Sequence, residues 1–325
     1  GNGKSAVVLP ASKDGMRGAI KVFHRELVER YGKEMQYERI LREKSLVGAH
    51  HENLVRILDG GECPATGYLY VVMESLPYKN LHECIADIPL AAVPGIISQI
   101  ASAARYLEDR QLAHRDIKPE NILYRSEADD ANIVLVDFGI ATHLRHQNDA
   151  DLHDMCGSIG YAAPEVVAKK HYGKQVDMWG LGVVTFCMLC GFAPFSSADP
   201  ALFRRQVESA DITFDQKYWA TVSDTGIDFV KRCLTRDPDE RITSDEALQH
   251  PVCLLHSLSG LLVSRTHSRT IHRILARVSE RITAPSGSRP WRRCVRRSDS
   301  KSSARSPRRM PSTWRMANPP RRCFP

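Results

Sequence analysis

The stretch His114-Arg115-Asp116-Ile117-Lys118-Pro119-Glu120-Asn121 decides the fold of this 325-residue chain, together with Asp137-Phe138-Gly139 further along. In the first segment, a lysine lies two residues after an aspartate, and an asparagine lies five residues after the same aspartate. A second aspartate follows 21 residues downstream of the first. A loop with incidental polar residues does not match a known signature at eight consecutive positions and again at a second site. The two segments therefore predict one shared site.

These side chains are the types that phosphoryl transfer requires. Asp116 is a candidate catalytic base for a substrate hydroxyl, and Lys118 would offset charge on the transferred phosphate. Asn121 and Asp137 offer oxygen ligands, which Mg²⁺ prefers. The sequence thus predicts an ATP site with Mg²⁺ held by Asn121 and Asp137.

A lysine upstream fits the same chemistry. Lys21, in a predicted strand at residues 19–23, would reach the α- and β-phosphates of ATP and needs an acidic partner to hold it. Glu43 is the preferred partner, because Leu46 and Val47 follow it as they do in similar sequences. Glu38 remains open as an alternative, since both acids lie in a segment with helical spacing at residues 25–48.

The weakest motif stands at the start of the chain, where Gly1-Asn2-Gly3-Lys4-Ser5-Ala6-Val7-Val8 fits the pattern G-x-G-x-x-G-x-V except that Ala6 replaces the third glycine. Small residues in such a turn allow backbone N–H groups to approach phosphates closely. Gly3-Lys4-Ser5 also resembles the end of a Walker A loop. The position of this segment before Lys21 favours the first interpretation.

Taken together, residues 1–251 resemble a eukaryotic-type Ser/Thr protein kinase domain, most similar to the calcium/calmodulin-dependent protein kinase group. Further segments carry the resemblance: residues 156–165 (CGSIGYAAPE), 172–179 (YGKQVDMW), 189–195 (LCGFAPF) and 237–241 (DPDER). Predicted strands at 6–9, 19–23 and 69–73 precede predicted helices at 93–107, 177–190 and 226–234.

The resemblance implies an α+β, two-lobed kinase fold, with a small antiparallel β-rich N-lobe and a larger helical C-lobe. The N-lobe and hinge would span residues 1–76, beginning at the glycine-rich loop, so that its first strand is expected to be truncated. The C-lobe would span residues 77–251. A basic tail rich in Arg, Ser and Pro would follow over residues 252–325.

The resemblance also implies roles for individual residues. Glu165 should pair with Arg241, and Asp177 should hold the backbone of the catalytic loop. Met73 would be the gatekeeper, and Glu74 and Leu76 would offer backbone groups to adenine. The remaining nucleotide-binding positions that the resemblance implies are Gly1, Gly3, Val8 and Ala19.

The implied function is ATP-dependent transfer of the γ-phosphate to Ser or Thr hydroxyls of protein substrates, because Lys118 in the catalytic loop marks Ser/Thr kinases in this family. One alternative is a catalytically weak pseudokinase or scaffold, for which the altered glycine loop argues. Another is a basic-tail protein that binds polyanions. No specific nucleic-acid partner is expected, because no RNA-binding fold accompanies the tail.

Two departures from the family pattern concern regulation and substrate choice. The segment from His143 to Gly157 contains no Ser, Thr or Tyr, and Asp154 lies where similar kinases carry an activating threonine. Asp154 could pair with Arg115 in place of a phosphate, or the segment could be a flexible acidic loop. Asn80 replaces a glutamate that binds arginine upstream of the target residue in basophilic relatives.

Charge is distributed unevenly along the chain. Residues 252–325 contain 17 Lys and Arg against 2 Asp and Glu, which leaves residues 1–251 with 28 against 36. Over residues 267–282, apolar residues recur at helical spacing with arginines around them, which is typical of a calmodulin target or autoinhibitory helix, although a disordered tail is the alternative.

Scattered cysteines favour an intracellular location, cytoplasmic or nuclear. No transmembrane segment is expected, because the apolar run 179–195 is too short.

Overall fold

The structure is a computed structural model, which describes residues 6–24, 33–126, 132–138, 142–143, 159–170, 172–197, 199–254 and 315–316. Several sequence predictions lie outside these residues: Gly1 and Gly3 of the glycine-rich segment, Gly139, Asp154 with its neighbours, and the basic helix proposed at 267–282.

The N-lobe contains an antiparallel sheet. Its first two strands, β1 (Ala6–Lys13) and β2 (Met16–Phe23), form a hairpin whose turn residues Asp14 and Gly15 both have positive φ, at 49° and 81°. Such a two-residue turn matches the right-handed twist of the paired strands. The hairpin places Lys21 in the second strand, as its apolar neighbours predict.

Two further strands and one helix complete the N-lobe. Strands β3 (Ile57–Glu62) and β4 (Leu69–Glu74) extend the sheet beyond β2, and a two-residue strand, Arg315–Met316, pairs with β1 at the other edge. Helix α1 (Lys33–Lys44) lies within the segment predicted to be helical and contacts β3 and β4. Its residue Ile40 is fully buried, so this contact fixes the helix on the sheet.

The C-lobe is built from helices, with bounds α2 (Val93–Asp109), α3 (Pro164–Val167), α4 (Gln175–Cys190), α5 (Pro200–Ser209), α6 (Gln216–Trp219), α7 (Asp224–Cys233) and α8 (Ser244–Gln249). Four short strands lie between α2 and α3: β5 (Leu112–Ala113), β6 (Ile122–Tyr124), β7 (Ile133–Leu135) and β8 (Thr142–His143). The strand Arg315–Met316, which pairs with β1, is called β9. This succession of a small sheet and a larger helical part is the two-lobed arrangement that the sequence predicts.

Helix α4 is the central element of the C-lobe, because it is apolar around nearly its whole circumference and buried along most of its length. Trp179 is fully buried and stacks on Phe195 with ring centroids 5.6 Å apart. A Cβ atom on Gly182 would lie 2.6 Å from the Cβ of Cys233 in α7. Only glycine therefore permits these two helices to approach so closely.

One apolar cluster contains residues of both lobes, with Phe23, Ile40 and Val71 from the N-lobe and Ile117 and Phe138 from the C-lobe. The site residues lie where the two lobes meet, so the shared core holds them at fixed positions. Within the ranges described above, no helix combines the length and the apolar character needed to cross a bilayer.

Candidate active site

Lys21 joins the two lobes through charged contacts. Its Nζ atom lies 3.0 Å from Oε1 of Glu43 in α1 and 2.6 Å from Oδ1 of Asp137 in the C-lobe. The rival partner, Glu38, has a largely exposed side chain and contacts Arg42 at 3.5 Å instead. The structure therefore places Glu43, not Glu38, against the lysine.

Burial and charge act in opposite directions on this group. Burial by itself lowers the pKa of Lys21, but the carboxylates of Glu43 and Asp137 together raise it above its ordinary value. Burial raises the pKa of Glu43, and the ammonium of Lys21 opposes that rise. Lys21 is consequently a permanent cation at neutral pH, and Glu43 depends on it for compensation of its buried charge.

The predicted nucleotide-contacting residues share one face of the sheet. Lys21 pairs across the β1–β2 hairpin with Val8, and Ala19 pairs with Met73 across β2 and β4. Directly opposed residues lie on the same face, and so do residues two apart in one strand. One ammonium group and three apolar side chains therefore face the same side, which suits a ligand with a flat apolar ring and attached phosphates.

The hinge residues differ in what they can offer a ligand. The carboxylate of Glu74 is engaged by Arg125 at 2.8 Å and by the backbone N–H of Arg56 at 3.0 Å. The N–H of Glu74 itself donates to the Arg56 carbonyl at 2.9 Å. Of the polar groups of Glu74, only the main-chain carbonyl is then a candidate to hydrogen-bond adenine. The main chain of the half-buried Leu76 is the other candidate.

The catalytic loop converges on Asp116. Its Oδ2 atom accepts hydrogen bonds from Lys118 Nζ at 2.5 Å and from Asn121 Nδ2 at 2.9 Å. Asn121 Nδ2 also donates to the Asp116 carbonyl at 2.9 Å. The loop thus brings together the three residues that the sequence predicts to share one site.

The donor set of Asn121 and Asp137 fits a divalent cation. Because Nδ2 of Asn121 faces Asp116, the amide oxygen is turned away from that aspartate. The Asp137 side chain is 42% exposed, although Asn121 is buried. One amide oxygen and one carboxylate are hard oxygen ligands, which Mg²⁺ accepts.

Two buried side chains support this loop. Asp177, in the first turn of α4, accepts the backbone N–H groups of His114 and Arg115, both at 2.7 Å. This confirms the role that the resemblance implied for Asp177. His114 packs edge-on against Phe138, with ring centroids 5.1 Å apart, and its ring nitrogen lies 3.1 Å from the Val136 carbonyl. Burial lowers the pKa of His114, so its ring stays neutral at physiological pH.

A second implied pair is also confirmed. Arg241 donates from Nη1 and Nη2 to the two carboxylate oxygens of Glu165, at 2.7 and 2.9 Å. The arginine donates further to the carbonyls of Gln175 and Thr235. This bidentate pair ties the start of α3 to the segment before α8.

One contact near the site was not anticipated. The guanidinium of Arg115 lies over the ring of Tyr172, 5.0 Å from the ring centroid, and Nη2 donates to the tyrosine hydroxyl. In the sequence, Tyr172 is only the first residue of the segment 172–179 that contributes to the family resemblance. No local signal connects it to Arg115, because 57 residues separate the two.

Comparison with known proteins agrees with this geometry. Residues 1–253 match the family described as "Protein kinase domain". The chain is 35% identical over 254 residues to the calcium/calmodulin-dependent protein kinase cmkA of Emericella nidulans, an alignment that covers 77% of this chain and 60% of that protein. It is 37% identical over 204 residues to calcium/calmodulin-dependent protein kinase type 1B of Rattus norvegicus, covering 62% and 58%.

A third relative is calcium/calmodulin-dependent protein kinase type 1 of Caenorhabditis elegans, which is 32% identical over 252 residues, covering 76% of this chain and 70% of the relative. The chain thus spans less than two thirds of the first two relatives. The family uses ATP and a divalent metal ion. With the match over residues 1–253 and the two-lobed architecture, the chain belongs to the protein kinase family.

Proposed function

We propose that this protein is a Ser/Thr protein kinase, which transfers the γ-phosphate of ATP to hydroxyl groups of protein substrates. The contact of Lys21 with both Glu43 and Asp137 carries the proposal. This contact fixes the lysine that would bind phosphates beside the acid that would bind metal. Phosphoryl transfer needs this positioning more than any covalent chemistry.

Each residue has a defined task in this proposal. Lys21, held by Glu43, pairs with the α- and β-phosphates. Asp116 accepts the proton of the substrate hydroxyl, and Lys118, which already contacts Asp116, offsets the negative charge that builds up on the transferred group. Because Lys118 and Asp116 are in contact, the base and the cation would both be available at the reacting phosphate.

Magnesium is the metal that the donor set supports best. Asn121 and Asp137 would hold it through oxygen atoms, and the ion would neutralise charge on the β- and γ-phosphates. The apolar side chains of Val8, Ala19 and Met73 would contact adenine, and the main chain of Glu74 and Leu76 would hydrogen-bond its edge. Gly1 and Gly3 would cover the phosphates.

The finer assignments rest on sequence and family. The kinase domain would comprise an N-lobe over 1–76 and a C-lobe over 77–251, with a separate basic tail at 252–325. Binding of calmodulin to residues 267–282 is proposed from their amphipathic pattern and from the relatives' names. A cytoplasmic or nuclear location is supported by the free thiols of the six cysteines that the structure describes.

Transfer of radiolabelled phosphate from ATP to a generic protein substrate tests the central proposal. Wild type should label the substrate in the presence of Mg²⁺, and Asp137→Ala should abolish labelling. Asp211→Ala is the matched control, because Asp211 is an exposed aspartate between α5 and α6. Equal labelling by wild type and Asp137→Ala would show that this site is not the source of activity. Phosphoamino-acid analysis of the product then distinguishes Ser and Thr from Tyr.

The calmodulin proposal needs its own experiment. The full chain should be retained on immobilised calmodulin with calcium and released by a calcium chelator. A variant with Ile274 and Val278 replaced by aspartate should not be retained, whereas replacing Arg308 and Arg309 by alanine should leave retention unchanged. Retention that persists without calcium would indicate simple charge attraction.

A further inference from the structure

Arg115 immediately precedes the proposed base and adopts an uncommon backbone conformation. Its φ angle is 69°, in the left-handed region that residues with a side chain rarely occupy. Such a conformation persists only where the surrounding structure holds it. The position of Asp116 therefore depends on what holds Arg115.

Among the residues that the structure describes, Asp177 and Tyr172 contact this arginine, and both lie in one short stretch of chain. Oδ1 of Asp177 accepts the backbone N–H of Arg115 at 2.7 Å. Tyr172, which lies five residues earlier, receives the side chain: its ring lies under the guanidinium and its hydroxyl accepts a hydrogen bond from Nη2. A cation over the face of an aromatic ring is attracted to that ring, and this interaction has a defined direction.

Tyr172 is a rigid support. It is 9% exposed and packs in the apolar cluster that includes Val176 and Trp179. Val176 and Trp179 belong to helix α4, so close packing in this cluster holds the Tyr172 side chain in place. The buried carboxylate of Asp177 supplies negative charge nearby.

The sequence excludes a phosphate on residues 143–157 as the partner of Arg115. In a kinase with arginine before the catalytic aspartate, a phosphate on the activation segment can pair with that arginine and order the loop. Between His143 and Gly157 this chain has no hydroxyl-bearing residue that could carry such a phosphate. The support for Arg115 must therefore be present without modification of that segment.

We propose that Tyr172 is a positioning residue that holds Arg115, and through it Asp116, so that the catalytic loop is ordered without a phosphate on residues 143–157. The inference rests on the proposed kinase function and concerns how the same site is maintained. In this proposal Tyr172 acts through Arg115 and not by contacting substrate, so its contribution should disappear when Arg115 is absent.

The test compares the wild-type chain with Tyr172→Phe, Arg115→Met, the double variant Tyr172→Phe/Arg115→Met, and Tyr218→Phe as a control. Tyr218 is a tyrosine with an exposed ring far along the chain from the catalytic loop. For each protein, kcat and the KM for ATP are measured before and after treatment with a broad-specificity phosphatase. Thermal unfolding checks that each variant is folded, and Tyr172→Phe keeps the ring that packs in the core.

Wild type should keep its activity after phosphatase treatment. Tyr172→Phe should lower kcat about tenfold, the effect of losing one hydrogen bond to a charged group, while the KM for ATP stays unchanged. In the Arg115→Met background, the same change should alter kcat by less than about twofold, because the pair no longer exists. Tyr218→Phe should resemble wild type.

Several results would overturn the inference while leaving the kinase function intact. They are loss of wild-type activity on dephosphorylation, Tyr172→Phe behaving like Tyr218→Phe, and an equal effect of Tyr172→Phe with and without Arg115. The last result would indicate a packing role only. A wild-type protein that transfers no phosphate before treatment would instead contradict the proposed function, and the inference with it.

Discussion

Lys21 and Asp137 are 116 residues apart in sequence, yet Nζ of the lysine lies 2.6 Å from Oδ1 of the aspartate. The lysine belongs to a strand of the N-lobe and the aspartate to the C-lobe, so this contact depends on how the two lobes pack against each other. Glu43 lies on the other side of the ammonium. Three charges from three separate elements thus meet at the proposed phosphate site.

Replacing Lys21 should make stability depend on pH in a defined direction. In Lys21→Met, the Glu43 carboxyl is buried without its cation, so its folded-state pKa, already raised by burial, rises further above the unfolded value. Between the two pKa values the folded protein keeps a proton that the unfolded chain releases. The free energy of unfolding must then fall as pH increases.

Urea unfolding at pH 5 and pH 8 measures this effect. We expect the destabilisation of Lys21→Met to be roughly 3 kcal/mol at pH 8 and clearly smaller at pH 5. Lys21→Met/Glu43→Gln should lose the pH dependence, and Lys79→Met, at an exposed lysine, should match wild type. The same penalty at both pH values would mean that Glu43 is not the titrating group. Lys21→Met should also abolish phosphate transfer.

Asp177→Asn should weaken the catalytic loop. The carboxylate accepts one backbone N–H on each oxygen, whereas an amide has a single acceptor atom. One buried N–H would lose its partner, at a cost of about 1–3 kcal/mol. We expect kcat to fall about tenfold or more, with chemical denaturation recording the lost stability. The exposed Asp239→Asn is the control, and unchanged kcat in Asp177→Asn would contradict the role given to this residue.

The sequence anticipated elements whose pattern is strong. The strands at 69–73 and 19–23 and the helices at 93–107 and 177–190 lie within or near the observed bounds, because apolar residues recur there with the appropriate period. Strand β3 was not anticipated. It contains Gly60 and Gly61, which disfavour strands, and it exists because it pairs with β4, a tertiary effect.

The candidate site was partly accessible to sequence reasoning. Asp116, Lys118 and Asn121 lie in one continuous motif, so their proximity follows from spacing. Helical periodicity alone could not choose between Glu43 and Glu38, because both lie in one helix, and it was the family resemblance that favoured Glu43. The contact of Arg115 with Tyr172 joins two segments that meet only in the folded chain, and no pattern in the sequence encodes it.

Arg241 should be essential for stability. Its side chain is fully buried and forms a bidentate pair with Glu165. Arg241→Met leaves the glutamate buried and uncompensated, which costs about 3–5 kcal/mol. Glu165→Met/Arg241→Met should recover a large part of this loss, since it removes both charges. Urea unfolding of the full double-mutant cycle measures the coupling, and purely additive effects would contradict a direct interaction.

Asn80 should not select arginine in substrates. Its Oδ1 accepts the Glu83 N–H and its Nδ2 donates to the Glu83 carboxylate, both at 3.0 Å. The side chain therefore caps the turn Leu81–Glu83 and carries no charge. Wild type should show no enrichment of upstream arginine in a peptide library.

Asn80→Glu should introduce a two- to fivefold preference for upstream arginine, about the strength of one exposed ion pair. Asn132→Glu adds the same charge at another exposed asparagine and should have no such effect. Strong arginine selection by wild type would show that another acidic group, such as Glu120, performs this recognition.

The pairing of β9 with β1 predicts a measurable link between the C-terminal region and the N-lobe. Met316 lies opposite Ala11, and Arg315 lies opposite Ser12, at the edge of the sheet. An edge strand exposes unpaired backbone groups, and a second strand satisfies them. Ala11 lies opposite Gly18 in a hydrogen-bonded position of the β1–β2 hairpin, so the N–H of Ser12, and not that of Ala11, faces β9. Arg315→Pro removes the backbone N–H opposite Ser12 and should break this short ladder.

Hydrogen exchange at Ser12 should then accelerate about fivefold, the effect of roughly one lost hydrogen bond. Ala11 and Val72, whose N–H groups do not face β9, should exchange at their wild-type rates, and Arg309→Pro serves as the matched control. Unchanged exchange at Ser12 in Arg315→Pro would mean that this strand contributes nothing to the edge of the sheet in solution.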